Sequence, residues 1–372
     1  MKKRLLYIDI LRITASILVV AAHVCASYID RLPIGSADFF TANAWDVFCV
    51  YSIPIFVMIS GALNLAPKDD TERSDGASAV MPWVMRALRF MAIYFIWLMI
   101  YNLMNCYQEG YGFSALSIRR NVILASIQGH GIYHLWYLPM LAGLTLVTPL
   151  LKPVAADKTL SRYFCILFTI IVIIVPTILR FDFRFHTVLE SLYERIPYVV
   201  VTGYTGYYIL GYLLASDKNG ENENAPSPLN GKKRSIVLIL VIALMWLIGS
   251  LVCFYDSIAW GQLSTKLNDP FVITDLAASV CLFLLIRGIF SDTAYAPSEH
   301  KVISLLSSAT LGIYIVHPAF LMIAGGLSFD TLFLPQILSL PIVTAGVYIL
   351  SFVATRIYTR TKKILITRLK VL

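Results

Sequence analysis

Long apolar runs alternate with short polar segments along the whole chain, and this alternation predicts a series of membrane-spanning helices. About 20 apolar residues cross a bilayer as a helix, and the continuity of these runs favours helices over the alternating strands of a barrel. By this criterion the sequence predicts ten spans, at residues 5–28, 44–65, 81–106, 134–152, 163–180, 197–215, 235–255, 270–290, 303–326 and 332–357. We therefore expect an all-α, polytopic membrane helix bundle.

Lysine and arginine are distributed unevenly between the polar segments, and this distribution orients the bundle. With the N-terminus in the cytoplasm, the cytoplasmic segments and adjoining span ends hold 22 of the 30 basic residues, whereas the outer segments hold 7. Cytoplasmic loops are generally enriched in Lys and Arg, so the sequence predicts that both termini are cytoplasmic. Residues 1–372 are interpreted as a single transmembrane domain without an appended soluble domain.

The composition supports a membrane environment. Of 372 residues, 58% are hydrophobic and 14% are charged, whereas about a quarter of the residues in a soluble domain are charged. In a soluble chain the net charge of +8 would indicate nucleic-acid binding. In a membrane protein it indicates basic loops at an anionic cytoplasmic leaflet. We therefore expect the lipid bilayer, and no nucleic acid, as a partner.

The first span carries ionisable residues, which are costly in hydrocarbon and are therefore functional candidates. Arg12 and His23 are eleven residues apart, about 20° from three helical turns, so they share a face and are separated by about 16 Å of rise. Asp9 lies near the same face. Either Arg12 or His23 alone is explained by snorkelling or by a core hydrogen bond, but together on one face they favour a functional site.

Arg86 and Arg89 form an i,i+3 pair near the cytoplasmic end of the third span. Membrane anchoring explains such a pair when it stands alone. Guanidinium groups also suit phosphate oxygens, and Arg12 is predicted at a similar depth. The three arginines are therefore expected to converge on one cytoplasm-facing anion site.

Two further histidines are predicted at the outer depth of His23. His134 begins the fourth span beside Trp136, and His317 lies two-thirds along the ninth span. Three histidines also suit a metal ion, but these three come from separate spans and lack the short ligand spacings that are typical of zinc sites. No metal is therefore expected.

The sixth span carries a run of tyrosines and glycines between Tyr204 and Tyr212. Small residues let membrane helices approach closely. We interpret this run as a helix-packing surface rather than as a platform for sugars.

Several segments together resemble the membrane acyltransferase-3 family, and they occur in the family's order. They are Asp9-Ile-Leu-Arg12 followed by His23, Pro54-Ile-Phe-Val-Met-Ile-Ser-Gly61, Arg86-x-x-Arg89, His134-Leu-Trp-Tyr-Leu138 and Ile313-Tyr-Ile-Val-His317-Pro318. The resemblance extends from the first span to the ninth. Within this family of ten-span, mostly bacterial membrane proteins, the chain is similar to the enterobacterial common antigen and exopolysaccharide O-acetyltransferase types.

The resemblance implies an O-acyltransferase of the bacterial inner membrane. Such an enzyme moves an acetyl group from cytoplasmic acetyl-CoA to a hydroxyl of an extracytoplasmic glycan or glycolipid. The resemblance implies that His23 is the general base, that Arg12 is its partner, and that Arg86 and Arg89 handle acyl-CoA. The residue chemistry agrees, because imidazole accepts protons near neutrality and arginines hold phosphates.

Supporting roles and alternatives stay open at the level of sequence. Candidates for oxyanion stabilisation or substrate contact are Tyr133, His134, Trp136, Tyr314 and His317. Candidates for the carboxylate that orients His23 are Asp30, Asp46 and Asp275. The alternative functions are a membrane transporter or a small-molecule-binding module that uses the Arg12/His23 stripe, because such stripes also occur in transporters.

Overall fold

The computed structural model describes residues 4–66, 77–131, 133–195, 203–216, 231–290, 294–326 and 334–369. The α-helices are α1 Leu6–Tyr28, α2 Ala37–Val50, α3 Ser52–Asn64, α4 Ala77–Gln108, α5 Ala115–Ser117, α6 Ala125–Ile127, α7 Tyr137–Ala156, α8 Lys158–Phe168, α9 Val175–Leu179, α10 His186–Arg195, α11 Thr205–Ser216, α12 Gly231–Trp260, α13 Ile273–Phe290, α14 Lys301–Gly326 and α15 Gln336–Leu369. Shorter helical segments are the 3₁₀ turns Ile29–Arg31 and Tyr133–Trp136 and the π-helices Ile118–Leu124 and Thr169–Ile174. Two short strands, β1 Arg4–Leu5 and β2 Ala294–Tyr295, pair in antiparallel fashion.

Within the described residues, nine helical stretches are long and apolar enough to cross a membrane. They are Leu6–Arg31, Ala37–Asn64, Val80–Gln108, His134–Ala156, Lys158–Leu179, Gly231–Trp260, Ile273–Phe290, Lys301–Gly325 and Gln336–Lys362. These stretches confirm the prediction of an all-α polytopic bundle and correspond to nine of the ten predicted spans. The sixth predicted span, 197–215, begins outside the described residues, and the part from Thr205 onward is helix α11.

Several helices extend beyond the apolar runs that predicted them. The second span begins at Ala37 rather than at residue 44, because Ser36 caps α2 by accepting a hydrogen bond from the N–H of Phe39 at 3.1 Å. This span is divided at Tyr51, between α2 and α3. Hydropathy therefore locates the apolar run, whereas the cap determines where the helix begins.

The described residues form two compact units. The first comprises residues 1–63 together with residues 162–372, and the second comprises Asn64–Ser161. In the first unit, α1 packs against α2, α13, α14 and α15. In the second unit, α4 packs against α7 and against the helical segment that contains α6.

A close helix crossing joins α3 to α11 in the first unit. A Cβ atom on Gly61 would collide with the backbone carbonyl of Tyr208, and one on Gly211 would collide with the backbone of Met58. Only glycine allows two backbones to approach so closely at both positions. This reciprocal contact confirms the interpretation of the tyrosine–glycine run as a packing surface.

Candidate active site

Two histidines from distant parts of the chain are in ring contact within the first unit. The rings of His23 on α1 and His317 on α14 stack, with their centroids 4.9 Å apart and their planes inclined by 28°. His23 is partly buried, whereas His317 is fully buried. The packing of α1 against α14 therefore brings together two imidazoles that the sequence predicts at a similar depth.

The hydrogen bond of His317 defines the state of its ring. Its Nδ1 lies 3.1 Å from the carbonyl oxygen of Ile313, one helical turn earlier. Because a carbonyl oxygen only accepts, Nδ1 is the donor, and Nε2 then carries the lone pair when the ring is neutral. The buried ring of Tyr314 lies beside it, with a centroid distance of 6.3 Å. His317 is therefore held in one orientation beneath the ring of His23.

A buried carboxylate organises the N-terminal end of α1. Asp9 is 1% exposed, and its Oδ1 lies 2.7 Å from Nη2 of Arg4 and 3.7 Å from Nη1 of Arg12. The hydroxyl of Ser307 donates to the same oxygen, and the hydroxyl of Tyr295 donates to Oδ2. Both oxygens are thus used, and Asp9 links α1 to β2 and α14.

Arg4 strengthens this arrangement from the strand side. Its Nη1 donates to the hydroxyl of Ser304 at 3.1 Å, and its backbone pairs with that of Tyr295. Burial, followed by the hydrogen bond to Asp9, raises the pKa of Tyr295 to about 12, so this phenol remains a donor at physiological pH. Arg12 is therefore positioned by a carboxylate that is itself fixed by several partners.

Replacing Asp9 with asparagine is expected to lower the free energy of unfolding by about 2 kcal/mol, because the charge of the hydrogen bond with Arg4 and the ion pair with Arg12 are lost. The measurement is thermal or chemical unfolding of the purified protein in detergent. Asp182→Asn, which changes an exposed loop carboxylate, is the matched control. Equal stability of the Asp9 and Asp182 variants would contradict the structural role of Asp9.

The two arginines of the third span lie in the second unit, on α4. Nη1 of Arg86 donates to Oδ1 of Asn64 at 2.7 Å, and the guanidinium group of Arg86 lies 5.8 Å from the centre of the Phe90 ring. The side chains of Arg86 and Arg89 are both exposed. The pair therefore offers guanidinium groups that are accessible from outside the unit.

His134 and Trp136 also lie in the second unit, in the 3₁₀ turn that precedes α7. His134 is 2% exposed and contacts Tyr101 edge-on, with their ring centroids 5.3 Å apart. Trp136 is 40% exposed and contacts Tyr137 edge-on. The structure thus places His134 in the interior of its unit and Trp136 at the surface.

Comparison with known families identifies the chain. Residues 5–356 match the family model of acyltransferase-3, which is described as an acyltransferase domain. The chain belongs to the acyltransferase-3 family. Comparisons with curated proteins and with solved structures give no match.

The structure of this acyltransferase brings some of the predicted site residues into contact. The contacts predicted for the other site residues stay predictions. His23, Tyr314 and His317 are neighbours, and Arg12 contacts Asp9 as the i,i+3 spacing allows. Arg12 belongs to the first unit, whereas the arginine pair of α4 belongs to the second. The convergence of these three arginines therefore stays a prediction.

The carboxylates considered for orienting His23 in the acyltransferase differ in their surroundings. Asp30 is exposed, Asp46 accepts a hydrogen bond from Asn268, and Asp275 accepts one from a backbone N–H.

Throughout the ranges that the structure describes, no group of three or more His, Cys, Asp or Glu residues is placed to hold a metal ion.

Sequence reasoning missed three members of the Asp9 cluster of the acyltransferase: Arg4, Tyr295 and Ser307. Arg4 reads as one of several basic residues that set topology, and the other two are ordinary polar residues far along the chain. The one feature of the sequence that points to such a cluster is the Asp9–Arg12 pair. An i,i+3 acid–base pair inside a membrane span requires further polar side chains around it.

Proposed function

We propose that this protein is an O-acyltransferase of the bacterial inner membrane that moves an acetyl group from cytoplasmic acetyl-CoA to a hydroxyl of an extracytoplasmic glycan or glycolipid. The observation that carries the proposal is the stacked His23–His317 pair inside a membrane helix bundle of the acyltransferase-3 family. Such a pair offers an imidazole nitrogen that can accept a proton from a hydroxyl group.

His23 is the general base of the proposed reaction. Its imidazole accepts the proton of the acceptor hydroxyl while the hydroxyl oxygen bonds to the acetyl carbon. As the carbon–sulfur bond breaks, the same imidazole returns the proton to the sulfur of CoA, so that acid and base roles are balanced. His317 and Tyr314 are supporting residues that hold the ring of His23 or contact the substrate.

Arg12, Arg86 and Arg89 bind the donor in this proposal, because arginine forks suit the phosphates of CoA. Arg12 lies about 16 Å along α1 from His23. The pantetheine arm of CoA is long enough to extend over a distance of this order. His134 and Trp136 are assigned to the substrate or to support of the site.

Replacing Arg86 and Arg89 together with alanine is expected to raise the apparent KM for acetyl-CoA by about tenfold or more, because charge-assisted contacts to phosphate are lost. The apparent KM for the acceptor should change little. Steady-state kinetics with each substrate varied in turn provide the measurement. The double variant Arg119→Ala/Arg120→Ala, which removes two other exposed arginines of the same unit, is the matched control. A selective rise in the acceptor KM would reject the donor-binding role.

The proposed function is tested by comparing surface glycans from cells with and without this protein by mass spectrometry. We expect an acetyl mass increment that disappears when the protein is removed, and consumption of acetyl-CoA by the purified protein in liposomes. Solute counterflow without any consumption of acetyl-CoA would instead establish the transporter alternative. An unchanged glycan spectrum together with unconsumed acetyl-CoA would contradict the acyltransferase assignment.

A further inference from the structure

The chain between the third and fourth membrane-crossing stretches forms a continuous helical segment in the second unit. It comprises α5, the π-helix and α6, which follow one another without a gap over residues 115–127. Ser114 caps its start by accepting a hydrogen bond from the N–H of Ser117 at 3.2 Å. We call residues 115–127 the connecting helix.

The connecting helix turns polar side chains inward, against α4. Its three buried residues are Ser117, Val122 and Ser126. The amide of Asn102 donates to the hydroxyl of Ser126 at 2.9 Å, and the sulfur of Cys106 lies 3.4 Å from the hydroxyl oxygen of Ser117. A helix on the surface of a water-soluble protein buries its apolar face instead. The distribution is therefore the reverse of the one expected in water.

The outward side of the connecting helix is apolar and basic. Its exposed apolar residues are Leu116, Ile123, Leu124 and Ile127. Arg119 and Arg120 are exposed on the same side, and residues 110–131 contain no aspartate or glutamate. An apolar face combined with basic side chains is typical of helices that lie in a membrane interface and attract anionic lipids.

Contacts with α4 show how the connecting helix is inclined. At its start the helix contacts Cys106, near the end of α4, and at its end it contacts Asn102, one turn nearer the middle. Gly131, which follows the helix, lies against Leu98. Because α4 belongs to the membrane-crossing stretch Val80–Gln108, the connecting helix slopes from the membrane surface toward the hydrocarbon. Its arginines are therefore shallower than the apolar residue at its end.

Aromatic side chains mark the membrane surface at the same end of α4. Tyr107, Tyr111 and Phe113 are all exposed in the turn that leads to the connecting helix. The rings of Tyr107 and Phe113 stack with their centroids 6.2 Å apart. Tyrosine is enriched where membranes meet water, so these rings are placed as an interfacial belt above the helix.

We propose that the connecting helix lies in the membrane surface, in the leaflet that the charge distribution predicts to be the outer one, and that Arg119 and Arg120 bind the phosphate groups of anionic phospholipids. Guanidinium groups form charge-assisted hydrogen bonds with phosphate oxygens, and basic residues near a membrane surface attract anionic lipids. The apolar residues then contact acyl chains. This lipid site goes beyond the acyltransferase reaction and needs only the bilayer.

Quenching of a fluorophore by brominated lipids tests the proposal. The fluorophore is attached to the Ile123→Cys variant in a Cys281→Ser background, because the other five native cysteines are buried. Nanodiscs contain equal amounts of phosphatidylglycerol and phosphatidylcholine, with bromine on the acyl chains of one lipid at a time. We expect both brominated lipids to quench. The local ratio of phosphatidylglycerol to phosphatidylcholine should be about fivefold above the bulk ratio.

Two labelled positions in the same unit are the matched controls. Glu109→Cys lies in the exposed turn after α4 and should escape quenching. Ile96→Cys lies in the middle of the membrane-crossing part of α4, where Ile96 is exposed, and should be quenched equally by the two lipids.

Arginine variants carrying the same label separate lipid binding from mere insertion. Arg119→Ala/Arg120→Ala should return the lipid ratio to its bulk value while quenching persists. Arg119→Lys/Arg120→Lys keeps the charge and should keep most of the preference, which shows that a loss in the alanine variant is not a folding defect. A label at position 123 that neither lipid quenches would overturn the placement of the helix. Equal quenching by the two lipids when both arginines are present, or a preference unchanged in the alanine variant, would overturn the lipid site.

Discussion

Replacing His23 with alanine is expected to reduce acetyl transfer by about 10²–10⁴-fold, the usual contribution of a positioned general base. The variant leaves the acceptor hydroxyl without a group that takes its proton. Since His23 is only partly buried and packs on one side against His317, the truncated protein should still fold. The measurement is transfer of labelled acetyl from acetyl-CoA to the membrane glycan fraction, made on protein shown to be folded.

Histidine controls separate a role in chemistry from a role in packing. His130→Ala removes an exposed loop imidazole and should leave transfer unchanged. The double variant His23→Ala/His317→Ala should lose no more activity than His23→Ala alone, because residues that act as a unit are strongly non-additive. Undiminished transfer by folded His23→Ala protein would refute the assignment of the base.

Replacing Gly211 with alanine is expected to cost about 3 kcal/mol or more of stability and to prevent accumulation of folded protein. The added side chain would have to occupy space held by the backbone of Met58, which cannot rotate away. Overpacking of this kind is destabilising even where side chains can adjust. The measurement is the yield and unfolding midpoint of protein extracted from the membrane.

Gly346→Ala is the matched control for the helix crossing. Gly346 lies on α15 in the same unit, and a Cβ atom built on it meets no atom within 4 Å apart from its chain neighbours and the adjacent backbone of its own helix. This variant should be extracted in wild-type amounts. Equal yields and equal unfolding midpoints for the Gly211 and Gly346 variants would show that the backbones of α3 and α11 do not approach as closely as described.

The fold was largely predictable because lipid imposes a simple length requirement on helices. Apolar runs located nine spans among the described residues, but the limits differed wherever a helix continued past its apolar run. Ser36 shows the reason, since a single capping hydroxyl sets the start of α2 seven residues before the predicted span. Hydropathy contains no information about such a cap.

The candidate site was predictable only in part. Helical spacing placed Arg12 and His23 on one face of α1. The position of His317 within the ninth predicted span placed it at a membrane depth similar to that of His23. Ring contact between His23 and His317 depends on the packing of α1 against α14, which no local pattern specifies. The Asp9 cluster was even harder to predict from the sequence, because Tyr295 and Ser307 lie 286 and 298 residues from Asp9 along the chain.

Those separations have a consequence for biogenesis. At about 5–20 residues per second, roughly 15–60 s of translation pass between synthesis of Asp9 and of Ser307, 298 residues later. During this interval the first span carries a charged end whose distal partners have not yet been made. Arg4 and Arg12, which leave the ribosome within seconds of Asp9, are the partners available to its carboxylate until α14 is inserted. The local arginines thus serve first as a temporary neutralising pair, and the assembly of the site is completed only late in synthesis.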